Sequence, residues 1–152
     1  IRDPLWSRGL GDVYKRQVSG REPASSISEK IGVSVPTVID RIKKLQETGV
    51  IESYRAIINN KKVGYDVSAI ITIISESSAQ YSDLVSKAVK EKFIEKCFTT
   101  TGNGSHVLLV NVENTDSLEK LLRKIQQWPG VRRTETQIIL SSYKDGIKTL
   151  SR

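Results

Sequence analysis

The chain has 152 residues, of which 38% are hydrophobic, and its 24 basic and 17 acidic side chains give a net charge of +7. This length suits one ordinary domain or two small ones. A single cysteine excludes an internal disulfide framework, and the longest apolar run, SAIITIIS, is too short to span a bilayer. The positive charge favours an acidic partner, with nucleic acid ahead of an anionic membrane.

Residues 1–19 show no sustained helical or strand period, and a proline and two glycines interrupt them. We interpret them as an atypical tail or as a cloning or sequencing scar. They contain no secretory pattern, so we expect a cytoplasmic protein without a membrane partner. Basic residues are concentrated toward this end, because residues 1–62 contain 12 basic and 7 acidic side chains, whereas residues 63–152 contain 12 and 10.

Two short helices are predicted next. PASSISEKI places two isoleucines four residues apart on one face. After a glycine-containing turn, Ser34 is a suitable N-cap for a second helix, with Pro36 in its first turn. That helix is predicted to run to about Thr48, where Gly49 can supply a left-handed stop. Two helices joined by such a turn form a helix-turn-helix unit.

The second of these helices carries two stripes. An apolar stripe predicts a packing face, and a polar stripe on another side contains Thr37, Arg41 and Lys44. A recognition helix would read DNA with the second stripe, Arg41 being best suited to a guanine. We expect the double-stranded DNA contacts to be Ser34, Pro36, Thr37, Arg41, Lys43, Lys44 and Arg55. A solvated basic helix face is the plain alternative.

The segments that follow predict a hairpin and then a second domain. VIESYRAII alternates as a strand does and VSAIITIIS is β-branched, which predicts two strands around a turn. We therefore assign residues 20–62 to a helix-turn-helix domain with a wing hairpin. From Val67 the predicted order is β-α-β-β-α-β, which makes residues 63–152 a ferredoxin-like domain with both helices on one face. We expect Val89 to face inward, Asp116 and Glu119 to form a capping box, and TQIILSS to be the last strand. The strands are apolar on both sides, so we expect a second subunit to cover the open face.

The loop TTTGNGSH is the second candidate site. Its glycines allow backbone N–H groups to approach a carboxylate, and its hydroxyls suit an ammonium. The candidate ligand residues are Thr101, Gly102, Asn103, Gly104 and Ser105, although the pattern by itself favours an ordinary connection between neighbouring strands. Cys97 and His106 form no recognisable catalytic dyad, and no metal-binding or phosphate-binding motif is present. We therefore expect no catalytic residues, no metal and no cofactor.

From Gly20 to Ser142 the chain resembles the Lrp/AsnC family of transcription regulators. The resemblance lies in the Gly-Arg start, the GVS turn, the VIDRIKKLQETGVI helix and the Lys-x-Gly-Tyr entry to the second domain, followed by TTGN and WPGV. It implies an α+β protein with a winged helix-turn-helix followed by a ferredoxin-like domain. It also implies a DNA-binding regulator that forms dimers and larger assemblies, such as an octamer, and binds a small effector, usually an amino acid.

The chain departs from this family pattern at two places. The family expects an apolar-periodic helix before the Gly-Arg start, and residues 1–19 do not supply one. The alternative function is therefore a ligand-binding and oligomerisation module without a functional DNA-binding head. The family loop commonly reads Gly-x-Tyr-Asp, whereas Gly102, Asn103, Gly104 and Ser105 stand here, which leaves the effector open.

Overall fold

A computed structural model describes residues 20–143 of the chain. The predicted tail at 1–19 lies outside the described residues, and so does the segment 144–152. The described residues form two compact units that divide between Ile57 and Ile58. This division falls shortly before the predicted boundary at residue 62, since residues 58–62 belong with the second unit. Within the described part of the chain, no helix is both long and apolar enough to cross a lipid bilayer.

The first unit contains the two predicted helices. Helix α1 spans Ala24–Ile31 and helix α2 spans Val35–Glu47. Between them Gly32 has a φ of 72°, a left-handed conformation that ends α1 without a steric penalty because glycine has no Cβ. The helices bury a small apolar cluster made of Ile27, Val38 and Ile42. The predicted helix-turn-helix is therefore confirmed.

The predicted hairpin after α2 differs from the structure. Residues 51–59 contain no strand, although their sequence alternates as a strand does. Ile51 donates a backbone hydrogen bond to Leu45 at 3.0 Å, and farther along Ile57 is 92% exposed. Strands are stabilised by backbone hydrogen bonds to neighbours, and the strands among the described residues pair only with one another. Arg55 thus lies on an exposed segment outside any strand.

The second unit has the predicted order of strands and helices. Its elements are β1, Val67–Ser75; α3, Tyr81–Lys90; β2, Ile94–Thr99; β3, His106–Val112; α4, Thr115–Gln126; and β4, Val131–Ile138. Short 3-10 helices, Asn60–Val63 and Ser78–Gln80, precede β1 and α3. The strands are ordered β2-β3-β1-β4, and each neighbouring pair is antiparallel. This topology confirms the ferredoxin-like fold.

One face of the sheet forms the core. Alternate residues of the central strands point inward, namely Ala69, Ile71, Ile73, Leu108, Val110 and Val112. They share a cluster with apolar side chains of both helices, namely Leu84, Ala88, Leu118, Leu121 and Ile125. Both helices therefore cover the same face, as predicted. Val89 was expected to face inward but is 76% exposed, because it lies about 100° around the helix from buried Ala88.

The opposite face of the sheet combines apolar and polar side chains. The central strands contribute half-buried Ile70, Ile74, Val107 and Leu109, and Phe98 on β2 is 51% exposed. Around them, Ser68 donates a hydrogen bond to Asn111 at 2.6 Å, and Arg133 pairs with Glu135 at 3.1 Å. This face carries most of the apolar surface that the alternating strand pattern leaves outside the core.

Two element ends differ from their predictions. The capping box predicted from Asp116 and Glu119 is wrong, because the N-cap of α4 is Asn114, whose side chain accepts a hydrogen bond from Ser117 N–H at 2.9 Å. The last strand begins at Val131 and ends at Ile138, earlier than the predicted TQIILSS segment. It starts early because Val131 already pairs with β1 directly after the turn.

Candidate functional site

The N-terminus of α2 is exposed and capped. The Ser34 side chain accepts a hydrogen bond from the backbone N–H of Thr37 at 3.4 Å, and the two hydroxyl oxygens lie 2.7 Å apart. Pro36 occupies the first turn, where its missing N–H costs no helical hydrogen bond. The first turn of a helix attracts anions through its free N–H groups and its dipole. This end of α2 is therefore suited to a DNA phosphate.

Two sides of α2 remain outside its buried face. At about 100° per residue, Thr37, Arg41 and Lys44 follow one side of the helix beside the buried stripe, as the sequence predicted. Lys43 is about 200° around the helix from Arg41. The structure therefore brings the first three residues together and places Lys43 on the other side, where it cannot face the same surface as Arg41.

The basic side chains of α2 differ in their partners. Lys44 Nζ lies 2.9 Å from a carboxylate oxygen of Asp40, and Lys43 Nζ lies 3.9 Å from Glu47. Exposed pairs of this spacing contribute only about 0.3–0.5 kcal/mol, so a phosphate can replace them. Half-buried Arg41 has no ion-pair or hydrogen-bond partner within residues 20–143. Its guanidinium is available to an external acceptor.

The loop between β2 and β3 is attached to β1 by its last two residues. Ser105 N–H donates to the carbonyl of Ile73 at 2.8 Å, and Ser105 Oγ lies 2.5 Å from Ser75 Oγ. Gly104 lies so close to β1 that an added Cβ would be 2.3 Å from Thr72 Cγ2. Both loop residues are buried. In this structure they hold the loop in place.

The exposed tip of the loop is formed by Thr101, Gly102 and Asn103. Thr100 closes it, because its N–H donates to Ser105 at 2.9 Å and its hydroxyl donates to the Gly104 carbonyl at 3.2 Å. The side chains of Thr101 and Asn103 have no hydrogen-bond partner within the described ranges. A hydroxyl and an amide together can accept from an ammonium and donate to a carboxylate.

His106, which directly follows the loop, is completely buried. Its Nδ1 lies 2.9 Å from Ser105 Oγ, and its ring meets Tyr81 edge to face with centroids 4.7 Å apart. Among the described residues Nε2 has no hydrogen-bond partner, and burial lowers the pKa of the imidazole because the charged form would lose its hydration. Ser75 and Thr100 were not predicted to support the loop, since their roles depend on strand pairing.

The remaining candidate groups give no catalytic or metal geometry among the described residues. Burial raises the pKa of the free Cys97 thiol, because its anionic form is desolvated. Over residues 20–143, no three His, Cys, Asp or Glu side chains are grouped so that they could hold a metal ion. Of the sites predicted from the sequence, the α2 stripe and the tip of the β2–β3 loop remain as candidates.

Comparison with known proteins identifies the two domains in which these residues lie. Residues 17–52 match the family described as winged helix-turn-helix DNA-binding, and residues 68–148 match the Lrp/AsnC ligand binding domain. The HTH-type transcriptional regulator FL11 of Pyrococcus abyssi is 35% identical over 129 residues, which are 85% of each chain. The HTH-type transcriptional regulator LrpA of Mycobacterium tuberculosis is 33% identical over 133 residues, 88% of this chain and 89% of that one.

A solved structure of a similar protein has the same fold as this chain. It is a feast or famine regulatory protein from M. tuberculosis complexed with L-methionine. The TM-score is 0.86 and the identity 30%, over 95% of this chain and 96% of that chain. The named relatives are transcriptional regulators rather than enzymes. With both domains matched in order, this chain belongs to the Lrp/AsnC family of DNA-binding transcriptional regulators.

Proposed function

We propose that this protein is a cytoplasmic, sequence-specific regulator, without enzymatic activity, whose binding to an operator responds to an amino acid or a related small effector. The observation that carries the DNA half is the side of α2 on which Arg41 has no partner within the described residues. A recognition helix lies in the major groove of DNA. There an arginine can donate two hydrogen bonds to guanine O6 and N7.

The other α2 residues supply affinity and register. Ser34, Thr37 and the helix N-terminus suit phosphate contacts, and Lys44 exchanges its Asp40 partner for a phosphate. Lys43, on the other side of the helix, and Arg55, on the exposed segment, suit flanking phosphates and add charge without reading bases. Sequence preference therefore depends on Arg41 more than on any lysine.

The effector is proposed to bind at the exposed tip of the β2–β3 loop. Thr101 and Asn103 offer polar groups that have no partner within residues 20–143, and Gly102, at a φ of 96°, leaves the backbone accessible. Gly104 and Ser105, which we also expected to contact the effector, support it by holding the loop on β1. The relative solved with L-methionine supports an amino acid as the ligand class.

We propose that self-association of the chain connects effector binding with DNA binding. A second copy is proposed to cover the sheet face opposite the helices, where apolar side chains of β1 and β3 lie. A dimer can then read two half-sites roughly one helical turn apart on DNA. An effector that binds one assembly better than another shifts operator occupancy by its difference in affinity.

The DNA half is tested by mobility-shift titration over a salt series, with an operator selected from random duplexes by the wild-type chain. Arg41→Ala should lose about 1–3 kcal/mol of binding to that operator, since one bidentate base contact is removed. Arg132→Ala is the matched control, because Arg132 is an exposed arginine of the second unit. Absence of any DNA binding at low salt would instead favour the module without a functional DNA-binding head.

The effector half is tested in the same titration with L-methionine added first and other amino acids afterwards. Binding should alter operator affinity and raise the melting temperature, because a ligand of the native state stabilises it. Asn103→Ala should abolish both effects, whereas Gln127→Ala, which removes an exposed amide at the C-cap of α4, should preserve them. A response that persists in Asn103→Ala contradicts the proposed place of the effector.

A further inference from the structure

A cavity of about 220 Å³ lies between the segment after α3 and one side of α4. It is lined by Glu91, Phe93, Ser117, Lys120, Leu121 and Lys124. None of these residues belongs to α2 or to the β2–β3 loop. Neither the proposed DNA contacts nor the proposed effector tip uses this cavity, so the proposed function gives no role to its charged side chains.

The cavity contains one carboxylate, which is ion-paired with a lysine, and more positive than negative side chains. The side chain of Glu91 is only 7% exposed, and its Oε2 lies 2.5 Å from Lys124 Nζ. A buried carboxylate requires such a partner, so this pair is fixed. Lys120 lines the cavity one turn before Lys124 and has no partner within residues 20–143. Lys92 Nζ, 4.6 Å from the Phe93 ring centroid, adds another positive charge beside the cavity.

The remaining walls provide an apolar surface and one hydroxyl. Leu121 is buried and Phe93 is half-buried, with the Phe93 ring held edge-on to Tyr65 at a centroid distance of 6.5 Å. The Ser117 hydroxyl, half-buried in the first turn of α4, has no hydrogen-bond partner among the described residues. A ligand here meets an ammonium and a hydroxyl beside an apolar floor.

We propose that this cavity binds a small organic anion that has one carboxylate and a short apolar tail. Its carboxylate is held by Lys120 and Ser117, and its tail lies on Phe93 and Leu121. At about 220 Å³ the cavity is smaller than the pockets of about 300–1,000 Å³ that hold drug-sized ligands, so it suits a smaller molecule. This proposal does not depend on DNA binding or on the loop site.

The charge pattern also predicts what the cavity rejects. An α-amino acid adds an ammonium to the carboxylate, and Glu91 already pairs with Lys124. The added ammonium therefore meets lysines rather than a free carboxylate, and like charges repel. Inorganic phosphate offers the charge without the tail and leaves the apolar floor in contact with water.

The test is an NMR titration of the full chain with 3-methylbutanoate, L-valine and inorganic phosphate. L-Valine is the 2-amino derivative of 3-methylbutanoate, so the pair isolates the effect of the ammonium. We expect only 3-methylbutanoate to shift the amide signals of Ser117 and Leu121 saturably, whereas an amino acid bound at the β2–β3 loop would shift residues 101–103. Lys120→Gln should raise its Kd about tenfold, the size expected for one charge-assisted hydrogen bond.

Lys61→Gln serves as the control, since Lys61 is an exposed lysine of the same unit that lies outside the cavity. The Kd of Lys61→Gln for 3-methylbutanoate should equal that of the wild type. The amide spectrum of each variant shows directly that the variant is folded. The proposal is overturned if 3-methylbutanoate shows no saturable binding or if Lys120→Gln retains wild-type affinity. Equal shifts of Ser117 and Leu121 with L-valine or phosphate, or shifts by 3-methylbutanoate confined to residues 101–103, also overturn it.

Discussion

Gly104 illustrates how a single residue places the candidate ligand loop. A Cβ at this position would lie 2.3 Å from Thr72 Cγ2, a separation that carbon atoms do not adopt without movement. The next residue completes the attachment through its hydrogen bonds to β1. The absence of a side chain at Gly104 thus lets the loop backbone lie against the strand and leaves its tip exposed.

Gly104→Ala should therefore destabilise the fold by about 1–3 kcal/mol, the usual cost of inserting a methyl group into a packed contact. Adding Thr72→Ser removes the methyl group that the new Cβ meets and should recover part of that loss. Urea denaturation of the two single variants and the double variant measures both effects. Strictly additive effects would show that the two side chains do not meet.

Helix α4 shows at the element scale why a helix end is hard to predict from a motif. Asp116 and Glu119 have capping-box spacing, but the chain enters the helix earlier, at Asn114. Glu119 instead pairs with Arg123 at 2.7 Å along the same helix. Both asparagine and aspartate are good N-caps, so the choice between them depends on where β3 ends and releases the chain.

We expect Asn114→Ala to lower the free energy of unfolding by about 1 kcal/mol, because the first turn loses its side-chain acceptor. Asp116→Ala should cost less, since Asp116 only complements the helix dipole from inside the first turn. Thermal or denaturant unfolding of both variants tests this order. A larger loss of unfolding free energy in Asp116→Ala than in Asn114→Ala would support the predicted capping box instead.

At the scale of the whole molecule, we propose that two copies associate through the sheet face opposite the helices. The strand pattern leaves Ile70, Ile74, Val107 and Leu109 on this face, and Phe98 stands beside them. Apolar surface of this kind on a sheet is typical of an interface. A symmetric pair formed through it needs only one kind of patch on each copy.

Leu109→Lys should convert the proposed dimer to a monomer, because two unpaired charges would be buried at the interface. Val89→Lys is the matched control, since Val89 is an exposed valine on the helical side of the same unit. Sedimentation equilibrium should show association for the wild type and for Val89→Lys alone. A Leu109→Lys variant that remains dimeric would place the interface elsewhere.

The sequence alone determined which segments form most elements and in what order, because helical and strand periods are local properties of a few successive side chains. The N-cap at Ser34, the left-handed glycine after α1 and the strand-helix order of the second unit all follow from such local patterns. The alternation in residues 51–59 did not produce a strand, since a strand also needs a neighbour to accept its hydrogen bonds.

Only the tertiary structure decided which chemical groups remain available. Arg41 was identifiable from its spacing, but its lack of a partner depends on where the acidic side chains of the described residues lie. The Ser105 hydroxyl is not available to a ligand, because it is hydrogen-bonded to Ser75 and Ile73, which lie 30 and 32 residues earlier in the chain. Glu91 and Lys124 meet across 33 residues to shape the anion cavity. Such pairings have no local sequence signal, because folding brings distant segments together to bury their apolar faces.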